Sequence, residues 1–282
     1  MKIIHDPILL RESVKQIKQK AQEIAFIPTM GNLHNGHLAL IKEGQKVADI
    51  TIVSIFVNPM QFNNKADLIN YPITLKADYE KLMLAGVDII FVPSVDVIYP
   101  HGLETQTYIE VPMLSNCLEG KLRPGHFRGM STIVAKLFNL IQPDYACFGE
   151  KDFQQLAIIK QMVKDLAMPI NIISVPIVRA DNGLALSSRN SKLNESEQNI
   201  APLLARVMHD LGEQLPSKRL NYQALIVEAS KALEEGGFKP DSIDIVDAKT
   251  LQTLHNKSNK AVILMAAFLG NTRLIDNKVV NL

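Results

Sequence analysis

Two histidines three residues apart, His34 and His37, stand in the run P-T-M-G-N-L-H-N-G-H at positions 28–37. The run follows an apolar, β-type stretch and opens an amphipathic one, so both imidazoles fall on one face of the first helical turn. There they sit beside unpaired backbone N–H groups and the positive end of the helix dipole, which suits the negative charge of a nucleotide triphosphate. Gly31 and Gly36 let a phosphate or a base approach the backbone closely. Read alone, H-x-G-H is better taken as a pair of surface histidines after a loop. Zinc fits less well: the Glu and the i,i+4 register of a zincin helix are missing, and no Cys or further His lies nearby.

Other segments offer partners. Gly149-Glu150-Lys151-Asp152-Phe153-Gln154-Gln155 also follows an apolar stretch and starts a helical one. Lys151 can place a point charge on a phosphate, Asp152 can cap the helix, and Gln155 can face the same cleft. In Leu186-Ser187-Ser188-Arg189-Asn190, two hydroxyls and a guanidinium fork can bind phosphate oxygens, or the run is a Ser-rich hinge. Val57-Asn58-Pro59-Met60-Gln61-Phe62-Asn63 carries Asn58 and Gln61, neutral hydrogen-bonding groups suited to a metabolite with hydroxyl and carboxylate groups; the other reading is an Asn-Pro turn. The basic, glycine-bearing run 119–129, with Arg123, lines an anionic pocket or simply turns. Asp78 is either a magnesium contact or a solvated residue on a helix face.

These segments need a scaffold that brings them to one edge. Apolar β-rich runs at 24–28, 50–57, 89–93, 145–149 and 170–176 alternate with helical patterns at 37–47, 74–85, 130–141 and 153–166. Several of the runs are continuously apolar, as in strands covered on both faces. The alternation predicts an α/β fold, a Rossmann-like doubly wound parallel sheet with ligands at the strand C-termini. After position 178 the pattern changes to a polar loop over 179–194, helices at 195–214 and 222–235, and short strands at 242–246, 261–269 and 273–276. The expected division is a Rossmann-like domain over 1–178 and a smaller α+β C-terminal domain over 179–282.

Composition bounds the setting. Of 282 residues, 47% are hydrophobic and 21% charged, with a net charge of +1, so no global field recruits nucleic acid or an anionic membrane. The longest apolar run, 261–269, is too short to span a bilayer. Two cysteines form no disulfide framework, and the N-terminus has no signal-peptide core, so a cytoplasmic protein is expected.

Taken in order, P-T-M-G-x-L-H-x-G-H at 28–37, V-N-P-x-Q-F at 57–62, R-P-G-H-F at 123–127, G-E-K-D-x-Q-Q at 149–155 and L-S-S-R-N at 186–190 resemble the pantothenate synthetase (pantoate–β-alanine ligase) family. The resemblance covers nearly the whole chain. It implies condensation of pantoate with β-alanine at the expense of ATP, giving pantothenate, AMP and pyrophosphate through a pantoyl-adenylate. It also implies Mg²⁺, a C-terminal domain that covers the site, and usually a homodimer. By position, Met30, Gly31, Asn32, Leu33, His34, Asn35, Gly36 and His37 resemble one ATP-binding segment, with His37 as the usual proton donor. Gly149, Glu150, Lys151 and Asp152 resemble a second, Leu186, Ser187, Ser188 and Arg189 a third, and Val178 a backbone contact to adenine. His34, His37, Lys151, Ser187, Ser188 and Arg189 would share the stabilisation of phosphate charge. Gln61 and Gln155 resemble contacts to pantoate, Gln61 also to β-alanine, while Asn58 and Arg123 match positions near the substrates and Asp78 a metal-side position. Ile73 stands where the family often has Arg, Leu186 where Met is common, and 179–183 differs slightly from R-E-x-D-G. The H-x-G-H run is shared with adenylyltransferases that pass AMP to a phosphorylated metabolite and with class I aminoacyl-tRNA synthetases. The first lack the companion segments, and a synthetase would need a basic tRNA surface. A module that only binds nucleotide is the third alternative.

Overall fold

The computed structural model describes residues 1–63 and 65–282. The chain forms two compact units, Met1–Pro176 and Ile177–Leu282, which places Val178 in the second.

Among the described residues, the first unit has one six-stranded parallel sheet. Its strands are β1 (Lys2–Ile4), β2 (Ile24–Thr29), β3 (Ile50–Ile55), β4 (Ile89–Phe91), β5 (Tyr145–Gly149) and β6 (Asn171–Val175), in the order β1-β4-β3-β2-β5-β6. Its helices are α1 (Pro7–Gln19), α2 (Asn35–Gln45), α3 (Lys65–Ile69), α4 (Leu75–Leu84), α5 (Val95–Ile98), α6 (Glu119–Leu122), α7 (His126–Ile141) and α8 (Phe153–Asp165). Successive strand side chains alternate between two helical layers. Phe26, Ile52, Phe91 and Phe148 join a core with α1, α7 and α8, whereas Ile27, Val53, Ile90 and Cys147 join one with α2 and α4. Both faces are therefore apolar, which is the doubly wound fold expected from the continuous apolar runs.

From β2 the chain winds outward on one side through β3 and β4, then returns to place β5 on the other side of β2. The order reverses between β2 and β5, and a crevice at such a switch point is where these sheets bind ligands. The loops that leave β2 and β5 carry the H-x-G-H and G-E-K-D runs.

The second unit holds α9 (Glu195–Ile200), α10 (Leu203–Gln214) and α11 (Tyr222–Glu235), with the antiparallel sheet β7 (Lys239–Asp247), β8 (Lys260–Leu269) and β9 (Thr272–Asn281). Leu204, Leu211 and Leu233 pack with Ile245, Ile263 and Met265 in its core. The single helix expected over 195–214 is two helices, because Pro202 has no N–H to continue the ladder. Strand β9 is longer than the expected 273–276, its alternation masked by Arg273, Asp276 and Lys278 on a sheet edge. Among the described residues, no helix is long and apolar enough to cross a membrane.

Candidate active site

The loop between β2 and α2 is held by a buried carboxylate. Gly31 (φ 81°) and Asn32 (φ 49°) take left-handed backbone conformations. They turn the next amides inward, where Asp78 Oδ2 accepts from Asn32 N–H at 3.0 Å and Asp78 Oδ1 accepts from Leu33 N–H at 2.8 Å. The Thr74 hydroxyl donates to Asp78 Oδ2 at 3.0 Å, and the Lys81 ammonium donates to the Leu33 carbonyl. A Cβ on Gly31 would stand 3.1 Å from both Asp78 Oδ2 and Ile55 Cγ2, so a side chain there would press on the clamp as well as strain a left-handed φ. Asp78 is fully buried, and these donors occupy both its oxygens. The expectation of a magnesium contact or a solvated residue meets a different role, that of a loop clamp. Its signal in the sequence was register: Asp78 lies three residues after Leu75 and four before Leu82, on the apolar stripe of α4.

The clamp delivers both histidines in one protonation state. His34 is the N-cap of α2, and its Nδ1 accepts from Gly36 N–H at 3.1 Å. His37 Nδ1 accepts from His34 N–H at 3.2 Å, and the rings lie 4.2 Å apart, centroid to centroid. An Nδ1 that accepts carries no proton, so the proton of each neutral ring sits on Nε2, which becomes a donor. Burial lowers the His34 pKa to about 4, helped by the charges of Lys151 and Lys81 and opposed by Asp152. Burial also lowers that of His37 to about 3, aided by His34, Lys151 and Lys81. Lys151 therefore stands within electrostatic reach of both rings, as adjacent exits from β2 and β5 require.

These shifts fix the sign of a pH effect. In the unfolded chain the imidazoles take up protons below the ordinary value of 6.5, whereas in the folded protein they resist down to about 4 and 3. Their contribution to stability is complete above pH 6.5 and is lost as the pH falls through that window. In the ligand-free protein, the ring proton resonances of His34 and His37 should hold their positions from about pH 8 down to about pH 6. A titration midpoint near the ordinary histidine value for either ring would show that the site does not hold that ring neutral below pH 6.5.

A second cluster lies at the end of β3. Asn58 is buried, donates through Nδ2 to Gln61 Oε1 and the Gly129 carbonyl, both at 3.1 Å, and accepts at Oδ1 from the Tyr99 hydroxyl at 2.7 Å and Met60 N–H at 3.3 Å. Two donors and two acceptor sites are the whole capacity of a carboxamide, so every hydrogen-bonding site of Asn58 is engaged in holding Gln61 and its neighbours. Gln61 Nε2 donates to Met30 Sδ at 3.1 Å, which joins this cluster to the β2 loop. Arg123 lies 3.4 Å from His126 Nε2, and His126 Nδ1 donates to the Gln61 carbonyl at 2.7 Å, so Arg123 adjoins the same cluster. Gln154, to which the motif at 149–155 attaches no role, is buried and ties Leu114, Cys117 and Glu119 to α8, whereas Gln155 beside it is half-buried. Ile73 lies on an apolar cleft of about 200 Å³ that Met30, Phe56 and Val57 also line.

In the second unit, residues 178–186 form a small hairpin where the sequence suggested a loop. Arg179 pairs with Ala185, and Leu186 N–H donates to the Val178 carbonyl. The Arg179 guanidinium grips both oxygens of buried Asp276 at 2.7 and 2.8 Å and the Gly183 carbonyl at 3.0 Å. Ser187 Oγ accepts from Arg189 N–H at 3.2 Å, and Ser187, Ser188 and Arg189 are half-buried. Arg179 and Asp276 were missed because the fork of donors that orders the run lies 97 residues away from its acceptor.

The known proteins that this chain is similar to agree with one another. A family model described as pantoate-β-alanine ligase matches residues 2–279. A pantothenate synthetase of Psychromonas ingrahamii is 64% identical over 280 residues, covering 99% of this chain and 97% of the relative. One from Aeromonas hydrophila is 55% identical, with 100% and 99% covered. The crystal structure of pantothenate synthetase from Thermus thermophilus superposes with a TM-score of 0.86 at 39% identity, covering 99% of both chains. The ligase from Francisella tularensis, solved in complex with β,γ-ATP and β-alanine, gives a TM-score of 0.83 at 39% identity, with 99% and 97% covered. With the family model spanning almost every residue and relatives matching end to end, the chain belongs to the pantoate-β-alanine ligase family.

Proposed function

We propose that this ligase joins pantoate to β-alanine by consuming ATP, forming a pantoyl-adenylate and releasing pyrophosphate and then AMP. The observation that carries the reading is the pair of neutral imidazoles at the N-terminus of α2, each with Nδ1 tied to backbone and its proton on Nε2, beside Lys151. A carboxylate resists attack by an amine because oxide would have to leave. Attack of the pantoate carboxylate on the α-phosphate, with pyrophosphate leaving, converts it to a mixed anhydride. The β-alanine amine then attacks the acyl carbon and AMP leaves.

Charge spreads over phosphate oxygens in the first step, so positioned donors do most of the catalysis. His34, His37 and Lys151 supply them from the first unit. A donor aimed at such charge is worth about 3 kcal/mol, roughly a hundredfold in rate. The resemblance adds Val178, Leu186, Ser187, Ser188 and Arg189 as ATP contacts, the second unit as a lid against hydrolysis, and a homodimer. Gln61 and Gln155 are assigned to pantoate, and Arg123 to the substrate side. The resemblance also adds Mg²⁺, which would help to neutralise the phosphate charge of ATP. Both cysteines are thiols, which suits a cytoplasmic enzyme.

The deciding experiment is exchange of labelled pyrophosphate into ATP. Exchange should require pantoate and proceed without β-alanine, and adding β-alanine should yield one AMP per pantothenate. Release of ADP, or exchange indifferent to pantoate, would refute the adenylate route.

A further inference from the structure

Tyr99 lies at the C-cap of α5, outside every segment that the resemblance assigns to the site, yet its hydroxyl is the far end of a chain that ends at Gln61. Asn58 is the middle link, and its orientation is determined by its fixed partners. The Gly129 carbonyl can only accept and Met60 N–H can only donate, so Nδ2 faces Gly129 and Oδ1 faces Met60. Nδ2 therefore donates to Gln61, which requires Oε1 on the inner side of the Gln61 carboxamide and Nε2 on the outer, where it meets Met30 Sδ. Each bond runs in the same sense: Tyr99 O–H to Asn58 Oδ1, then Asn58 Nδ2–H to Gln61 Oε1. Hydrogen bonds in such a chain polarise one another, and the last N–H becomes the better donor.

The start of the chain is secured. Tyr99 is buried, and burial raises its pKa above the ordinary phenol value, so it stays a donor at working pH. The Lys136 ammonium lies 4.9 Å over the Tyr99 ring while donating to the Ile98 carbonyl and Gln106 Oε1. Gly129 comes so close to Met60 that a Cβ would strike the Met60 carbonyl, which keeps the 58–61 turn against α7.

We propose that Tyr99 is a positioning residue that acts through Asn58 to hold Gln61 with its N–H₂ edge toward the substrate, so that Gln61 selects an acceptor oxygen of pantoate. The inference rests on the assignment of Gln61 to pantoate made above. A flipped Gln61 would present a carbonyl oxygen to the pantoate carboxylate, which has no proton to donate, and weaken binding.

The test is a double-mutant cycle on the full chain with Tyr99→Phe and Gln61→Ala, read as pantoate affinity by calorimetry and as KM for pantoate and for ATP. Tyr99→Phe keeps the ring and should weaken pantoate by about tenfold while leaving the KM for ATP unchanged. In the Gln61→Ala background the same change should have no further effect, because the residue it acts through is gone. The side-chain amide resonances of Gln61 should also move in Tyr99→Phe without any ligand. Should Tyr99→Phe fail to fold, Asn58→Ser cuts the chain at its middle and must show the same Gln61-dependent loss. Wild-type affinity in Tyr99→Phe, equal losses with and without Gln61, or unmoved Gln61 resonances would overturn the relay. Failure of the wild-type protein to bind pantoate would instead overturn the substrate assignment.

Discussion

Asp78→Ala is expected to lower the stability of the first unit by about 3 kcal/mol and to reduce pyrophosphate exchange by at least a hundredfold. The carboxylate is fully buried and receives Asn32 N–H, Leu33 N–H and the Thr74 hydroxyl. Alanine leaves these donors without an acceptor in a place water does not reach, and each such group costs about 1–3 kcal/mol. Two of them belong to the loop that ends at His34, so the loss of stability and the loss of activity share one cause. Asp78→Asn should fall between alanine and the wild type. Its oxygen can still accept from one amide, but its NH₂ must then face another donor. Denaturant unfolding and the exchange assay measure the two effects on the same samples. Magnesium separates the clamp from a metal ligand. A clamp variant stays impaired at any magnesium concentration, whereas full stability with activity restored by excess magnesium would return Asp78 to the metal.

The contrast between Asp78 and the histidines shows which parts of this molecule can be read from its sequence. The sheet was legible because strands covered on both faces are uninterrupted apolar runs, as at Ile24–Thr29 and Ile50–Ile55. The switch-point site was legible because polar, glycine-bearing runs follow β2 and β5 directly. Strand β1 and helix α1 were passed over, although Asp6 caps and Pro7 opens that helix, because β1 has only three residues. What resisted reading depends on pairings far apart in the chain. Asp78 serves a loop about 45 residues before it, Tyr99 serves Asn58 at a separation of 41, and Arg179 meets Asp276 across 97. Local pattern announces none of these partners. The same distance hides the partners of Asn58, since a polar residue after a strand shows its chemistry but not how much of it is already used.

His37→Ala is expected to cut exchange by roughly a hundredfold or more, and two further substitutions at the same position show which nitrogen is responsible. His37 does two things: Nδ1 accepts from His34 N–H at the start of α2, and Nε2–H is the donor assigned to the phosphates. Alanine removes both, with a capping loss of about 1 kcal/mol in addition to the rate. Asparagine places an oxygen near the position of Nδ1 and nothing at Nε2, so it should recover stability without rate. Glutamine places an amide N–H near the position of Nε2, so it should recover part of the rate. With a pKa lowered to about 3, His37 is neutral in the free protein, and a neutral N–H that glutamine can imitate is what the site then provides. The family assignment of His37 as a proton donor makes the opposite forecast, because glutamine gives up no proton at any working pH. A glutamine variant as slow as alanine, with an acid-side change in the wild-type pH–rate profile near the ordinary histidine value, would mean that bound ATP raises His37 back into its acid form. A glutamine variant faster than asparagine would mean that the ring serves as a fixed hydrogen-bond donor, oriented by the helix it caps.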